Sequence, residues 1–176
     1  MGKVSHDIPV LQIAGYKNSG KTTFIKELVK QLSNEGYRVG VIKHHGHGGS
    51  LDFNEPGNTD TAQFQNEGAY MTAVEGEGVL HLKVNGTVSI PLEKIVMMYK
   101  VIQLDFILIE GFKKAQYPKF LIARDDQDLL SLLKQSENVV GVITDHLEER
   151  SGLLIFKPSQ AAEFTEYIKE KLLKRR

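Results

Sequence analysis

Residues Val10-Leu11-Gln12-Ile13-Ala14-Gly15-Tyr16-Lys17-Asn18-Ser19-Gly20-Lys21-Thr22-Thr23 decide how the chain is read. Gly15, Gly20, Lys21 and Thr22 stand in the spacing G-x-x-x-x-G-K-[ST], the phosphate-binding loop of nucleoside triphosphatases. The mostly apolar run Val10 to Ala14 predicts a buried strand before it. Phe24, Ile25, Leu28, Val29 and Leu32 recur at helical spacing after it, and Gly36 suits a helix C-terminus. A loop between strand and helix places phosphate oxygens at unpaired N–H groups and at the positive end of the helix dipole. Gly15 and Gly20 allow close approach of the backbone. Lys17, Asn18, Ser19 and Thr23 complete the candidate cradle, Lys21 is expected to reach the β- and γ-phosphates, and Thr22 to ligate Mg²⁺.

Outward from this stretch, strand and helix signals alternate, which implies an α/β fold of P-loop type with a mostly parallel sheet flanked by helices. Arg38 to Ile42 predicts a second strand. Lys43 to Asn58 follows without periodicity, rich in glycine and carrying His44, His45 and His47. Its position after a parallel strand places it at the carboxyl edge of the sheet, where ligands bind in such folds. Three readings stand for it: contact of Lys43, His44 and His47 with an anionic nucleotide or substrate, metal coordination by the histidines, or a solvated loop. A structural zinc site would need four protein ligands.

Asp60 to Glu67 predicts a short helix capped by Thr59 or Asp60 and stopped by Gly68. Asp52 or Asp60 is a candidate for holding Mg²⁺, directly or through water. The stretch from Ala69 to Ile90 is β-rich, and Asn85-Gly86 predicts a hairpin turn inserted in the alternating pattern. Such a ribbon either packs on its own sheet or protects its edges by pairing with a second copy.

A helix is predicted over Pro91 to Lys100, then a buried strand over Leu104 to Ile109 that ends at Glu110. A carboxylate there can position Mg²⁺ or its water shell, so Lys21 and Glu110 are the candidate catalytic pair, with Thr22, Glu110 and Asp60 as candidate metal ligands. Gly111 to Pro118 is a loop with two lysines. A strand at Lys119 to Ala123, a helix at Asp125 to Lys134 burying Leu129, Leu130, Leu132 and Leu133, a strand at Val139 to Ile143, and a closing helix over Pro158 to Arg176 burying Ala161, Phe164, Ile168 and Leu172 complete the pattern. One domain of 1–176, with its β-rich insertion at about 69–90, is the expectation.

Composition narrows the function. Among 176 residues, 41% are hydrophobic and 22 Lys and Arg balance 22 Asp and Glu, so a general electrostatic affinity for nucleic acid or an acidic membrane is unsupported. There is no cysteine, which removes disulfides and thiolate metal sites. The N-terminal MGKVSHDIPV lacks the apolar core of a signal peptide and no apolar run approaches the length of a membrane span, so a soluble cytoplasmic protein is expected.

Gly15 to Thr23, Lys43-His44-His45-Gly46-His47, Asp60-Thr61, Glu67-Gly68-Ala69, Ile109-Glu110-Gly111-Phe112-Lys113 and Ile143-Thr144-Asp145 together resemble the molybdopterin-guanine dinucleotide biosynthesis protein B family, MobB, in matching order over nearly the whole chain. The resemblance implies a homodimeric GTP-binding protein with weak, Mg²⁺-dependent GTPase activity. Its implied partner is the transferase that attaches GMP to molybdopterin, with molybdopterin itself a further candidate ligand.

From the residues alone, a delivery GTPase, a small-molecule kinase and a nucleotide-gated adaptor with negligible turnover stand side by side. A kinase usually clamps the transferring group with several arginines. Here Arg38, Arg124, Arg150, Arg175 and Arg176 form no evident lid. Dimeric P-loop ATPases often carry an extra lysine directly after the first glycine, where this chain has Tyr16. Asp145, at the carboxyl end of a later strand, is the candidate acceptor for guanine N1–H and its 2-amino group. The Asn-Lys that usually precedes such an aspartate is missing, so capping of the turn at His146 is the alternative.

Overall fold

The computed structural model describes residues 8–44, 59–86, 89–147 and 152–173. The chain divides into two compact units, one of Met1–Gly46 with Leu92–Arg176, the other His47–Pro91.

The larger unit is built on six parallel strands in the order β2-β5-β1-β6-β7-β8. In chain order these are β1 (Val10–Gly15), β2 (Val39–Lys43), β5 (Phe106–Glu110), β6 (Lys119–Ile122), β7 (Val139–Ile143) and β8 (Leu154–Phe156). The intervening helices are α1 (Lys21–Asn34), α3 (Leu92–Val101), α4 (Asp126–Gln135) and α5 (Ala161–Lys171). Alternation along each strand sends Leu11, Ile13, Phe106, Leu108, Phe120 and Ile122 to one face. There they meet Phe24, Ile25, Leu28 and Leu32 of α1 and Phe164 and Ile168 of α5. The opposite face is covered by α4 beside Ala14, Leu121 and Val142, and by α3 beside Ile42, Ile107 and Ile109. Every residue of β5 is buried, as a strand covered on both faces requires. Phe164 joins the layers edge-to-face, with ring centroids 5.3 Å from Phe24 and 4.7 Å from Phe120.

Helix α1 begins and ends as its sequence dictates. Gly20 at its N-cap has φ 88° and brings no capping side chain, so the first-turn N–H groups face outward unclaimed by a cap. At the other end Gly36, with φ 87°, closes the helix: Tyr37 N–H donates to Leu32 O and Gly36 N–H to Ser33 O. Burying Phe24, Ile25, Leu28 and Leu32 contributes roughly 1.5–3 kcal/mol each.

Several boundaries differ from the expectation. Strand β2 starts at Val39 because the Arg38 N–H is taken by the Asp105 carboxylate at 2.8 Å, and β5 correspondingly starts at Phe106. Leu130 is 50% exposed, since Leu129, Leu132 and Leu133 span the inward arc of α4 and Leu130 lies off it. Asp125 caps α4 by accepting from Asp128 N–H. The short edge strand β8 was not expected. The closing helix begins at Ala161; Thr165 and Leu173 join its buried side, and Leu172 packs partly buried against the same core.

The smaller unit holds α2 (Asp60–Asn66) and an antiparallel pair, β3 (Met71–Gly76) and β4 (Val79–Val84). Thr59, rather than Asp60, is the N-cap of α2, its hydroxyl accepting from Ala62 N–H. The hairpin turn is at Glu77-Gly78, not at Asn85-Gly86. Glu77 and Gly78 have φ 52° and 80°, the pair of positive angles a type I′ turn needs. Asn85 lies past the end of β4, its N–H donating to Tyr70 O, and Ser89 and Ile90 form no strand.

Candidate nucleotide site

All six strands of the larger sheet run in one direction, so Gly15, Lys43, Glu110 and Ile143 end on the same edge. The loop after β1 opens there into a polar cavity of about 310 Å³ lined by Asn18, Ser19, Gly20, Lys21, Thr22 and Thr23. A larger depression of about 460 Å³ lies between α1 and α5, lined by Gln31, Asn34, Glu35, Ala162, Glu163 and Glu166. It holds three carboxylates and none of the predicted site residues, so the anion chemistry belongs to the smaller cavity.

Gly15 sits where a side chain has no room: a Cβ would stand 2.6 Å from Ile122 O and 2.7 Å from Ser19 Oγ. Asn18 adopts φ 60°, Lys17 and Asn18 are exposed, and Ser19 is buried with its N–H donating to Tyr16 O. Lys21 folds back over the loop and donates to Tyr16 O at 2.5 Å and to Ser19 Oγ at 3.5 Å. Burial lowers its pKa; the Glu110 carboxylate opposes that shift, while Lys113 and Lys43 add to it.

Glu110 is the residue that register brings in. As the last residue of β5 it pairs with Ile13 on one side and Lys43 on the other. The Thr22 hydroxyl lies 3.2 and 3.3 Å from its two carboxylate oxygens, and Lys43 Nζ lies 3.2 Å from Oε1 and 3.4 Å from Thr22 Oγ1. Two hard oxygen donors already hold a cationic group between them. The same donor set fits Mg²⁺, which binds through one or two protein oxygens and takes the rest from water and phosphate.

The remaining candidates divide. His44 is tied to this edge through its N–H, which donates to Glu110 O at 2.9 Å, and its ring packs on Phe112 at 4.4 Å. Thr144 is buried and its hydroxyl accepts from His146 N–H, so it closes the turn after β7 and leaves Asp145 exposed beside it. Asp60 belongs to the smaller unit, where it is the exposed first residue of α2. His45, His47 and Asp52 lie outside the described residues. Among the described residues no three His, Cys, Asp or Glu side chains gather as a metal-binding group.

Four residues of this region are not among the predicted site residues. Tyr16 ties the loop to α4 through its hydroxyl, 2.7 Å from Ser131 Oγ, and Lys113 Nζ stands 3.8 Å above the centre of its ring. Lys119 is fully buried under the 111–118 loop beside the equally buried Gln12. The signal for Gln12 and Lys119 was visible as polar residues within apolar strand runs.

A mostly parallel sheet whose first strand opens through G-x-x-x-x-G-K-T into a helix, with an acidic strand end alongside, defines a fold of P-loop nucleoside triphosphatase type. The profile of the family described as "MobB: Molybdopterin guanine dinucleotide synthesis protein B" matches residues 10–145, and the chain belongs to that family. It is 40% identical over 151 residues to a Bacillus subtilis protein named "Probable molybdopterin-guanine dinucleotide biosynthesis adapter protein", covering 84% of each chain. It is 30% identical over 166 residues to the Haemophilus influenzae molybdopterin-guanine dinucleotide biosynthesis adapter protein, covering 93% of this chain and 90% of that one. The crystal structure of Bacillus subtilis MobB superposes with a TM-score of 0.76 at 35% identity, over 95% of this chain and 99% of that chain.

Proposed function

We propose that the protein is a GTP-binding adapter of molybdenum cofactor biosynthesis. In this reading it hydrolyses GTP slowly with Mg²⁺ and assists the transferase that attaches GMP to molybdopterin. The observation that carries the nucleotide part is the convergence of Lys21, Thr22, Lys43 and Glu110 at the mouth of the phosphate loop. The pathway part rests on the family and on the names of the relatives. Thr22 and Glu110 would hold Mg²⁺, which would neutralise charge building on the phosphates. Lys21 would draw the β- and γ-oxygens toward the loop, and the α1 N–H groups would receive the phosphate between them. Arg38 and Arg124 are each paired with a carboxylate, of Asp105 and Asp128, which speaks against either serving as a kinase clamp.

The test is a panel of nucleotides in thermal unfolding, since a ligand bound only by the folded chain raises its midpoint. Mg²⁺-GTP is expected to raise it more than Mg²⁺-ATP, and Glu110→Gln to remove most of the Mg²⁺-dependent part. With Thr144 closing the turn, Asp145 is assigned to the base. Asp145→Asn should lower GTP affinity by at least about tenfold, because the amide keeps one acceptor oxygen but sets an NH2 group against the other guanine donor, and shift preference toward xanthosine triphosphate. Equal midpoints with ATP and GTP, or undiminished GTP binding by the Asn variant, would sink the base assignment. No response to any triphosphate would sink the nucleotide reading.

The proposed homodimer is supported by the β3-β4 ribbon, on which Val74, Val79 and Leu80 are 46%, 55% and 56% exposed. Sedimentation velocity at micromolar concentration is expected to give a dimer that Val79→Lys with Leu82→Lys converts to a monomer. A monomeric parent would refute dimerisation, and a dimer surviving both changes would move the interface elsewhere.

A further inference from the structure

We propose that Lys113 is a second lysine of the phosphate site, set by Gln12 and Lys119 to meet the terminal phosphate of a bound triphosphate. This rests on the nucleotide reading above. The loop carrying Lys113 leaves β5 directly after Glu110 and returns into β6, and β5 and β6 are the two neighbours of β1 in the sheet. It turns sharply at once: Gly111 has φ 91° and Phe112, which is not glycine, has φ 51°. A left-handed non-glycine residue persists only where its surroundings over-determine it.

Those surroundings are two buried side chains. Gln12 and Lys119 are register partners on β1 and β6, and neither is exposed. The Gln12 amide donates to Gly111 O and, at 2.6 Å, to Phe112 O. The Lys119 ammonium donates to Lys113 O at 2.8 Å and to Ala115 O. Burying an ammonium group costs several kcal/mol against an apolar side chain of the same volume, so packing alone does not call for a lysine at 119. What it supplies is donors that draw the loop's carbonyls inward. The backbone of Lys113 is thereby pinned from below while its side chain crosses over the loop after β1.

The place it reaches identifies its ligand. Lys113 Nζ lies over the Tyr16 ring, and Lys21 Nζ is bonded to the carbonyl of that same residue. In a loop of this kind the lysine corresponding to Lys21 reaches the β- and γ-phosphates, so Tyr16 marks the terminal-phosphate end of the cradle. Lys113 is near enough to Lys21 to help push its pKa down, a repulsion that a polyanion between the two would turn into attraction. An aromatic face holds the ammonium only weakly, by roughly 0.5–1 kcal/mol at an exposed site, so a phosphate oxygen can claim it.

The consequence is discrimination between triphosphate and diphosphate. Fluorescently labelled GTP and GDP, titrated with Mg²⁺ into the full chain, its Lys113→Met and Lys113→Arg variants, and Lys114→Met as control, test it. One charge-assisted hydrogen bond sets the expected size: Lys113→Met should bind GTP about tenfold or more weaker while GDP changes less than about twofold. Lys113→Arg should recover most of the loss, and Lys114→Met should bind as the parent does. Parent-like GTP binding by Lys113→Met, or an equal loss of GTP and GDP, would overturn the proposal while leaving the nucleotide reading intact. A parent that binds neither nucleotide would overturn both.

Discussion

Lys21→Ala is expected to abolish triphosphate binding without disturbing the fold. Lys21 is half-buried at the mouth of the loop and bonds only to Tyr16 O and Ser19 Oγ in the hydrogen bonds described, so no core packing depends on it. Burial already holds its pKa down, which means the ammonium is carried at some cost in the free protein. Its removal should leave the unfolding midpoint of the free protein within about 2 °C of the parent, as substitutions outside the core usually do. Affinity for Mg²⁺-GTP should fall at least about 100-fold, because two charge-assisted contacts are lost at once. Calorimetric titration measures this directly. An alanine variant that bound GTP as tightly as the parent would refute the assignment of the loop.

Gly15→Ala should fail in the opposite way, through the backbone. The added carbon would meet Ile122 O at 2.6 Å and Ser19 Oγ at 2.7 Å. Gly15 and Ile122 are register partners in the sheet, so relief of the first contact means parting β1 from β6. Overpacking of this kind costs about 1–3 kcal/mol, and in a chain this size each kcal/mol lowers the midpoint by roughly 2–4 °C. The free protein should therefore melt several degrees earlier, and the displaced loop should bind GTP poorly. A parent-like midpoint would mean that the sheet edge yields at no cost. Comparing the two variants separates charge from shape at one site.

The phosphate loop and its helix were legible because all the information is local: glycine spacing, one lysine, one threonine, and an apolar stripe that α1 buries at Phe24, Ile25, Leu28 and Leu32. Glu110 was legible as an acidic end to an apolar strand. Its partnership with Lys43 was not, because that depends on β2 and β5 lying side by side, a register set by strands some 60 residues apart. The hairpin shows how local preference misleads. Asn85-Gly86 and Glu77-Gly78 both suit a tight turn, but only the second has six-residue arms on either side that match across the ladder, so pairing decides. Gln12 and Lys119 betrayed themselves as polar residues in apolar runs. The carbonyls Gln12 holds lie about 100 residues away, beyond the reach of any window on the sequence, whereas those of Lys119 lie only 6 and 4 residues before it and are met because the loop folds back over β6.

The ammonium group lodged between Glu110 and Thr22 changes what metal affinity means for this chain. A divalent ion taking both oxygens would not enter bare ground; it would trade places with Lys43, and its affinity would be the difference between two occupants. Only the lysine end of that pair stands in water, since the Lys43 side chain is 53% exposed and the Glu110 side chain 9%. Such an exchange would keep the buried carboxylate paired throughout and would leave the displaced ammonium at the carboxyl edge of the sheet, free to meet an anion there.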